Sequence, residues 1–546
     1  MSLPASLRPS ARAARRLCAL LAFSVLVVPG VPVAAQPVGL PSLGDVQGMS
    51  IAAERRLGDR IARDIYRDPD YLDDPVLSEY LQLIWQPLLG AARTRGDVPP
   101  ELAERMAWEL MISRDRRVNA FALPGGYLGV NLGLIAVTDT TGELASVMAH
   151  ELSHVSQRHI ARMLTRQDKM APWMLGALIL GALAARANTD VANAAIVGSQ
   201  AMAVQNQLNF SRDMEREADR VGFGVMTSAG FDGLAFVTMF DKLQQANRLN
   251  DDGGFPYLRS HPLNSERIAD MRARLPMVPN APASSGGAVG PLRDKTPGAS
   301  GGGLVLDLPR TQGVTGQLPP GLHPLMAARA RVLAEKGTDR LGGWLQVGRA
   351  PQATQGDLYA AALSAQRLGQ PALALELAQR LRAQAAPEVR WAVDALQIEL
   401  LLAPGRGPVV GDAGERLRTL RDQALGSGNR ALMLLGAQAA MALREPDLAV
   451  SRLQTWVVNH PRDALAWETL ARVHQAQGQT LRAIRAEAES RVAHMDWEGA
   501  LDRYRGAQAQ PVAVRNADPM TMAIVDSRRR DIERQLLEFE KEEPLN

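Results

Sequence analysis

The sequence predicts a mainly α-helical protein with a small β-sheet, in which an N-terminal block of mixed helical and strand patterns precedes a solenoid of helical hairpins. Three observations carry this. The chain has 546 residues, 46% of them apolar and only 4% aromatic, which is too long for one core and too apolar for disorder. A stretch rich in Pro, Gly and Ser, residues 276–324, separates two blocks of different composition. The block after it repeats small residues at a step of 34.

The formal net charge is +3, from 61 basic and 58 acidic residues. Residues 1–35 hold Arg8, Arg12, Arg15 and Arg16 and no acid, so the remainder is close to neutral. That balance offers no basic field for a nucleic acid, and none is expected as a partner. The arginines of residues 1–35 precede an apolar run from Leu17 to Val28, then Pro29, Gly30 and Pro32, and Val33-Ala34-Ala35 supplies small residues at a cleavage site. This is the pattern of a signal peptide, cleaved near Ala35/Gln36, and it predicts export to a bacterial periplasm. The apolar run is shorter than the ~20 residues that a membrane span requires. Cys18, the single cysteine, lies inside this segment. A mature chain without a thiol has no disulfide, no cysteine nucleophile and no thiolate metal site.

Residues 36–275 contain the chemistry. Phe121 to Val137 is apolar and alternating, but Pro124 and the glycines at 125, 126, 129 and 133 argue against a central strand. An edge strand leading into the next helix, able to pair with an extended peptide, is expected there; a bulged structural strand fits equally. Thr140 and Glu143 form a candidate capping box for a helix whose apolar stripe is Leu144, Val147, Met148, Leu152 and Val155. That helix carries His150-Glu151-Leu152-Ser153-His154. Two imidazoles one turn apart can grip one zinc ion, and Glu151 can act as general base on its bound water.

A third ligand must come from elsewhere, and Glu215 is the best candidate. Ser211 can cap its helix, and Met214, Ala218, Val221 and Val225 form its buried side. Asp219, one turn beyond Glu215, can accept the free N–H of a ligating histidine. Glu217 reads as an exposed acid. Between the ligands, Ala171 to Ala185 is uncharged. A lid over the site, a peripheral membrane contact and a buried helix all fit it.

The repeat block, residues 325–510, places Ala437 and Ala471, and Ala449 and Ala483, 34 residues apart, with Trp467, Gly478 and Pro461 at groove, turn and helix end. This is the tetratricopeptide (TPR) register, which stacks helical pairs into a curved surface for another polypeptide. Residues 511–546 form a charged helical tail.

The two-histidine helix followed by Glu215-x-x-x-Asp219 resembles the M48 family of zinc metallopeptidases. Ala120 to Tyr127 before it and Ser260-His261-Pro262-Leu263 after it extend the likeness. The resemblance implies a zincin-like metallopeptidase domain over 36–275 and one zinc ion per chain. His261 would either occupy zinc's fourth position in a latent state or assist the oxyanion. With the export signal and the repeats, it also implies a quality-control protease. That protease would promote assembly of outer-membrane β-barrel proteins and degrade misassembled ones. Its partners would be unfolded or stalled barrels and, through the repeats, the barrel-assembly machinery. The rival reading is a TPR-based chaperone or scaffold with a structural metal site. His159, His323, His460, His474 and His494 read as ordinary.

Overall fold

The computed structural model describes residues 49–166, 211–249, 255–275, 318–404 and 410–542. The export segment, most of the Pro/Gly/Ser stretch and Ala171–Ala185 lie outside these residues, as do the readings made of them.

The N-terminal half opens with α1 (Ile51–Arg67), capped by Ser50, and α2 (Pro75–Arg95), capped by Asp74 with Pro75 in its first turn. After α3 (Pro100–Arg105) come β1 (Glu109–Ser113), β2 (Ala120–Leu123) and β3 (Tyr127–Asn131). The strand order is β1-β3-β2, parallel between β1 and β3 and antiparallel between β3 and β2. The run from Phe121 to Val137 is therefore not one edge strand. A short 3-10 turn at Pro124–Gly126 splits it, β2 forms an edge, β3 is central, and Leu132–Val137 is a helix, α4. Gly129 can occupy the central strand because the Phe121 ring fills the place of its missing side chain.

Next come α5 (Thr141–Ser156), α6 (His159–Arg166), α7 (Arg212–Ser228), α8 (Leu234–Leu249), α9 (Tyr257–Ser260) and α10 (Ser265–Ala273). The stripe expected on α5 understates its burial, since every residue from Glu143 to Ser156 is buried. Tyr80, Ile84, Trp85 and Leu88 of α2 share one core with Leu144, Met148 and Leu152 of α5 and with Val221 and Val225 of α7.

The second half is helical throughout: α11 (Leu322–Ala334), α12 (Thr338–Arg349), α13 (Gln355–Arg367), α14 (Pro371–Gln384), α15 (Arg390–Leu402), α16 (Gly411–Gly426), α17 (Arg430–Ala442), α18 (Asp447–Asn459), α19 (Ala464–Ala476), α20 (Thr480–Ala493), α21 (Trp497–Gln508), α22 (Val512–Ala517) and α23 (Pro519–Glu542). Ala437, Ala449, Ala471 and Ala483 are all buried where helices meet. The charged tail is not simply solvated, because Val525 and Ile532 of α23 bury against Leu481, Leu501 and Tyr504.

The halves pack on each other. Leu322, Leu325 and Met326 join the N-terminal core, and α11 lies against α4 while α17 lies against α2. Two histidines read as ordinary sit in this junction. His323 bridges the Tyr80 hydroxyl at 2.6 Å and the Thr138 carbonyl at 2.7 Å. His494 packs against the rings of Tyr66 and Tyr71. Among the described residues, no helix is long and apolar enough to cross a membrane.

Candidate metal centre

The site is assembled by two helices and the segment around α9. The Thr140 hydroxyl accepts the Glu143 N–H at 3.1 Å and starts α5. The return bond of a full capping box is absent from this pair, because the Glu143 carboxylate accepts from Asp139 N–H and pairs with Lys242. One helical turn sets His150 and His154 side by side. On α7, capped by Ser211, Glu215 and Asp219 face them across a close helix contact. Gly222 permits that approach, since a methyl group on it would stand 3.1 Å from the Ala149 carbonyl oxygen.

His150, His154, Glu215 and His261 converge, and all four are buried. The Nε2 atoms of His150 and His154 are 3.0 Å apart, and His261 Nδ1 lies 3.3 Å from His150 Nε2 and 3.0 Å from Glu215 Oε1. Glu215 Oε1 is 3.5 Å from His154 Nε2, and its Oε2 is 3.5 Å from His150 Nε2. Tetrahedral donors at about 2.0–2.1 Å from a zinc ion stand about 3.3 Å from one another. Nitrogen and carboxylate donors at this spacing fit that ion.

The electrostatics point the same way. Burial alone would raise the Glu215 carboxyl, but His261 and His150 outweigh it and hold Glu215 well below the usual carboxylate range. Asp219 behaves alike: burial is outweighed by Arg267 and by His150, whose Nδ1 lies 3.0 Å from Asp219 Oδ1. Burial works to lower His150, yet its bonds to Asp219 and Glu215 carry it up to about 9. His154 is pushed well below its ordinary value by burial and by the neighbouring His150 charge. The pocket thus keeps carboxylates ionised and concentrates positive charge between them.

Glu151 occupies the position of a base. Its Oε2 accepts the Ala122 N–H of β2 at 2.9 Å, and its Oε1 lies 3.4 Å from His261 Nε2. Burial raises its carboxyl against the pull of His261 and His150.

Four residues around the centre escape the sequence reading. Arg267 of α10 clamps Asp219 with two bonds of 2.7 Å, reaches Glu215 Oε2 at 2.7 Å and donates to the Pro262 carbonyl at 3.0 Å. The adjacent Ile268 and Met271 mark α10 as a packed helix, and an arginine beside them was the available signal. Tyr257 stacks on His261 with centroids 4.6 Å apart, accepts the His261 N–H at 2.9 Å and donates its own N–H to the Val118 carbonyl at 3.3 Å. The sequence predicts an ordinary histidine at His159 and an exposed acid at Glu217. Instead His159 is fully buried against His154, and Glu217 pairs with His159 and Arg162. Burial lowers His159 below the ordinary histidine value.

The comparisons with known proteins agree with this centre. Residues 92–275 match Peptidase family M48. The chain is 36% identical over 258 residues to a Vibrio cholerae protein named "Putative beta-barrel assembly-enhancing protease". That match covers 46% of this chain and 51% of the relative, so the chain spans about half the relative's length. It is 29% identical over 460 residues to the "Beta-barrel assembly-enhancing protease" of Escherichia coli K12, covering 82% of this chain and 83% of that one. It is also 32% identical over 164 residues to the "Mitochondrial metalloendopeptidase OMA1" of Arabidopsis thaliana, covering 30% of this chain and 31% of that one. Peptidases of family M48 depend on zinc, the ion that the donor set suits. Residues 92–275 of this chain are an M48 metallopeptidase domain.

Proposed function

We propose that the chain is a periplasmic zinc endopeptidase that promotes assembly of outer-membrane β-barrel proteins and degrades those that misassemble. The observation that carries the catalytic part is Glu151 beside the convergent His150, His154 and Glu215. The relatives named for barrel assembly support the substrate class. In this reading the export segment is cleaved near Ala35/Gln36, and the repeat half engages the barrel-assembly machinery or a stalled barrel.

Zinc held by His150, His154 and Glu215 would polarise the scissile carbonyl and acidify the attacking water. Glu151 takes the water's proton on Oε1, the oxygen that faces the donor cluster, and returns it to the leaving amine. The Ala122 N–H holds its other oxygen and so orients the carboxylate. Asp219 fixes His150, and Arg267 keeps Asp219 ionised.

The substrate strand pairs with β2 through the Ala120 groups and the Ala122 carbonyl, which the register on β3 turns away from that strand. Ala122 N–H stays with Glu151 and holds the base, while the Val118 carbonyl is engaged by Tyr257 N–H, a contact that guards the edge. His261, four residues from Tyr257, stands among the metal donors in a latent state. A docking strand displaces Tyr257 and draws His261 away. The alternative is a chaperone with a structural metal site, and one observation favours it: four converging side chains form a closed donor set.

One set of measurements separates these readings. The mature chain and its Glu151→Gln variant should bind one zinc ion equally. The variant should cleave an unfolded barrel protein about 10²–10⁴-fold more slowly. Equal cleavage by both removes the proposed base and favours the scaffold. Replacing His261 with alanine should raise cleavage; a fall would assign His261 to the oxyanion instead.

A further inference from the structure

An α-helix continued past Ser156 would turn residue 159 well away from residue 154, because five residues at 3.6 per turn leave the two about 140° apart. The chain does not continue. Arg158 adopts φ 51°, a left-handed conformation rare for a non-glycine residue, and α6 starts afresh at His159. The Glu54 carboxylate and the Met49 carbonyl hold the Arg158 side chain in that turn. The break folds the His159 ring back under His154.

The resulting contacts form a line. His154 Nδ1 and His159 Nδ1 are 3.0 Å apart, His159 Nε2 lies 3.0 Å from Glu217 Oε2, and Arg162 Nη1 donates to that oxygen at 2.8 Å. His154 Nε2 is the nitrogen that faces His150 and Glu215. A ligand nitrogen must be bare, so the His154 proton sits on Nδ1 and donates to His159 Nδ1. His159 then carries its own proton on Nε2 and donates it to Glu217.

We propose that His159 is a positioning residue that fixes the tautomer and ring orientation of His154, with Glu217 as its anchor. It is the counterpart of Asp219 on His150. The two helix imidazoles would thus be held by independent partners, a carboxylate clamped by Arg267 and a histidine clamped by Glu217. The inference rests on the zinc reading of the centre and adds residues that the metal motifs do not contain.

The test uses the full mature chain and zinc affinity, measured by competition with a chromogenic chelator. His159→Leu removes the acceptor and should weaken zinc binding about 10–100-fold. His159→Asn places Oδ1 where Nδ1 stands and should recover most of that loss. Glu217→Ala should give a smaller weakening, of about three- to tenfold, by the same outer-shell logic. With cobalt in place of zinc, the visible spectrum of fully loaded His159→Leu should shift, and that of His159→Asn should stay close to the parent. A role in packing alone would lower thermal stability while leaving the affinity and spectrum unchanged. Zinc affinity of His159→Leu within twofold of the parent, or equal damage from Leu and Asn, overturns the proposal. If His159→Leu does not fold, unchanged affinity in Glu217→Ala overturns it. A parent chain that binds no stoichiometric zinc fails the metal reading, which is a different outcome.

Discussion

At the scale of single residues, the centre is a problem of buried charge. Glu151, Glu215 and Asp219 are each almost wholly buried, and among the described residues Arg267 is the guanidinium that reaches two of them. Replacing Arg267 with methionine keeps its bulk and removes that countercharge. The metal-depleted chain should lose about 3–5 kcal/mol, since breaking a buried pair leaves uncompensated charge behind. Saturating zinc should restore part of it, because a divalent ion supplies positive charge at Glu215. Urea unfolding of parent and Arg267→Met, each with chelator and with zinc, checks both statements. His150, Glu151 and His154 were legible in the sequence because the chemistry follows from spacing on one helix. Arg267 and His159 were not, since each reaches the centre through a turn whose direction no local pattern encodes.

At the scale of elements, the distance between α5 and α7 decides whether two motifs become one site. Gly222 faces the backbone of Ala149 and His150, so side chains larger than hydrogen must push the helices apart. Gly222→Val should cost about 1–3 kcal/mol in stability, as overpacking does. It should also weaken zinc binding more than it disturbs helix content, read by chelator competition and circular dichroism. A variant that binds zinc as tightly as the parent would show that the contact has slack. The split of Phe121–Val137 into two strands and a helix teaches the same lesson. Composition marked the run as extended and interrupted. The Phe121 ring over Gly129 shows how the glycine-containing strand is accommodated at the centre of the sheet.

At the scale of the molecule, the repeat half is built onto the peptidase through a junction rich in ionic contacts. Arg329 of α11 lies buried between Asp74, the cap of α2, and Glu399 of α15, and Arg430 of α17 pairs with Asp463 and lies 3.7 Å from Asp73. Burial raises the Asp73 carboxyl to about 6, against the attraction of Arg430 and with the help of Asp463. A carboxyl raised in the folded state binds its proton more tightly folded than unfolded. Its stabilising contribution is therefore present below about pH 4 and fades as pH rises through about 6. Asp73→Asn should be the more stable chain at pH 7 by about 1–3 kcal/mol, with the difference shrinking toward pH 4. Urea midpoints across that range test it, and a constant difference would count against the assignment.

By itself, the sequence determined the helical character with its small sheet, the 34-residue spacing of small residues and the candidate zinc ligands. Each depends on periodicity or on side chains one turn apart, which are local properties of the chain. Tertiary structure alone brought His261 within reach of those candidate ligands, set Arg267 against Asp219 and Glu215 and His159 against His154, and packed the C-terminal helices onto the N-terminal core. Those contacts join residues that the backbone separates by turns, and their geometry comes from how whole helices pack.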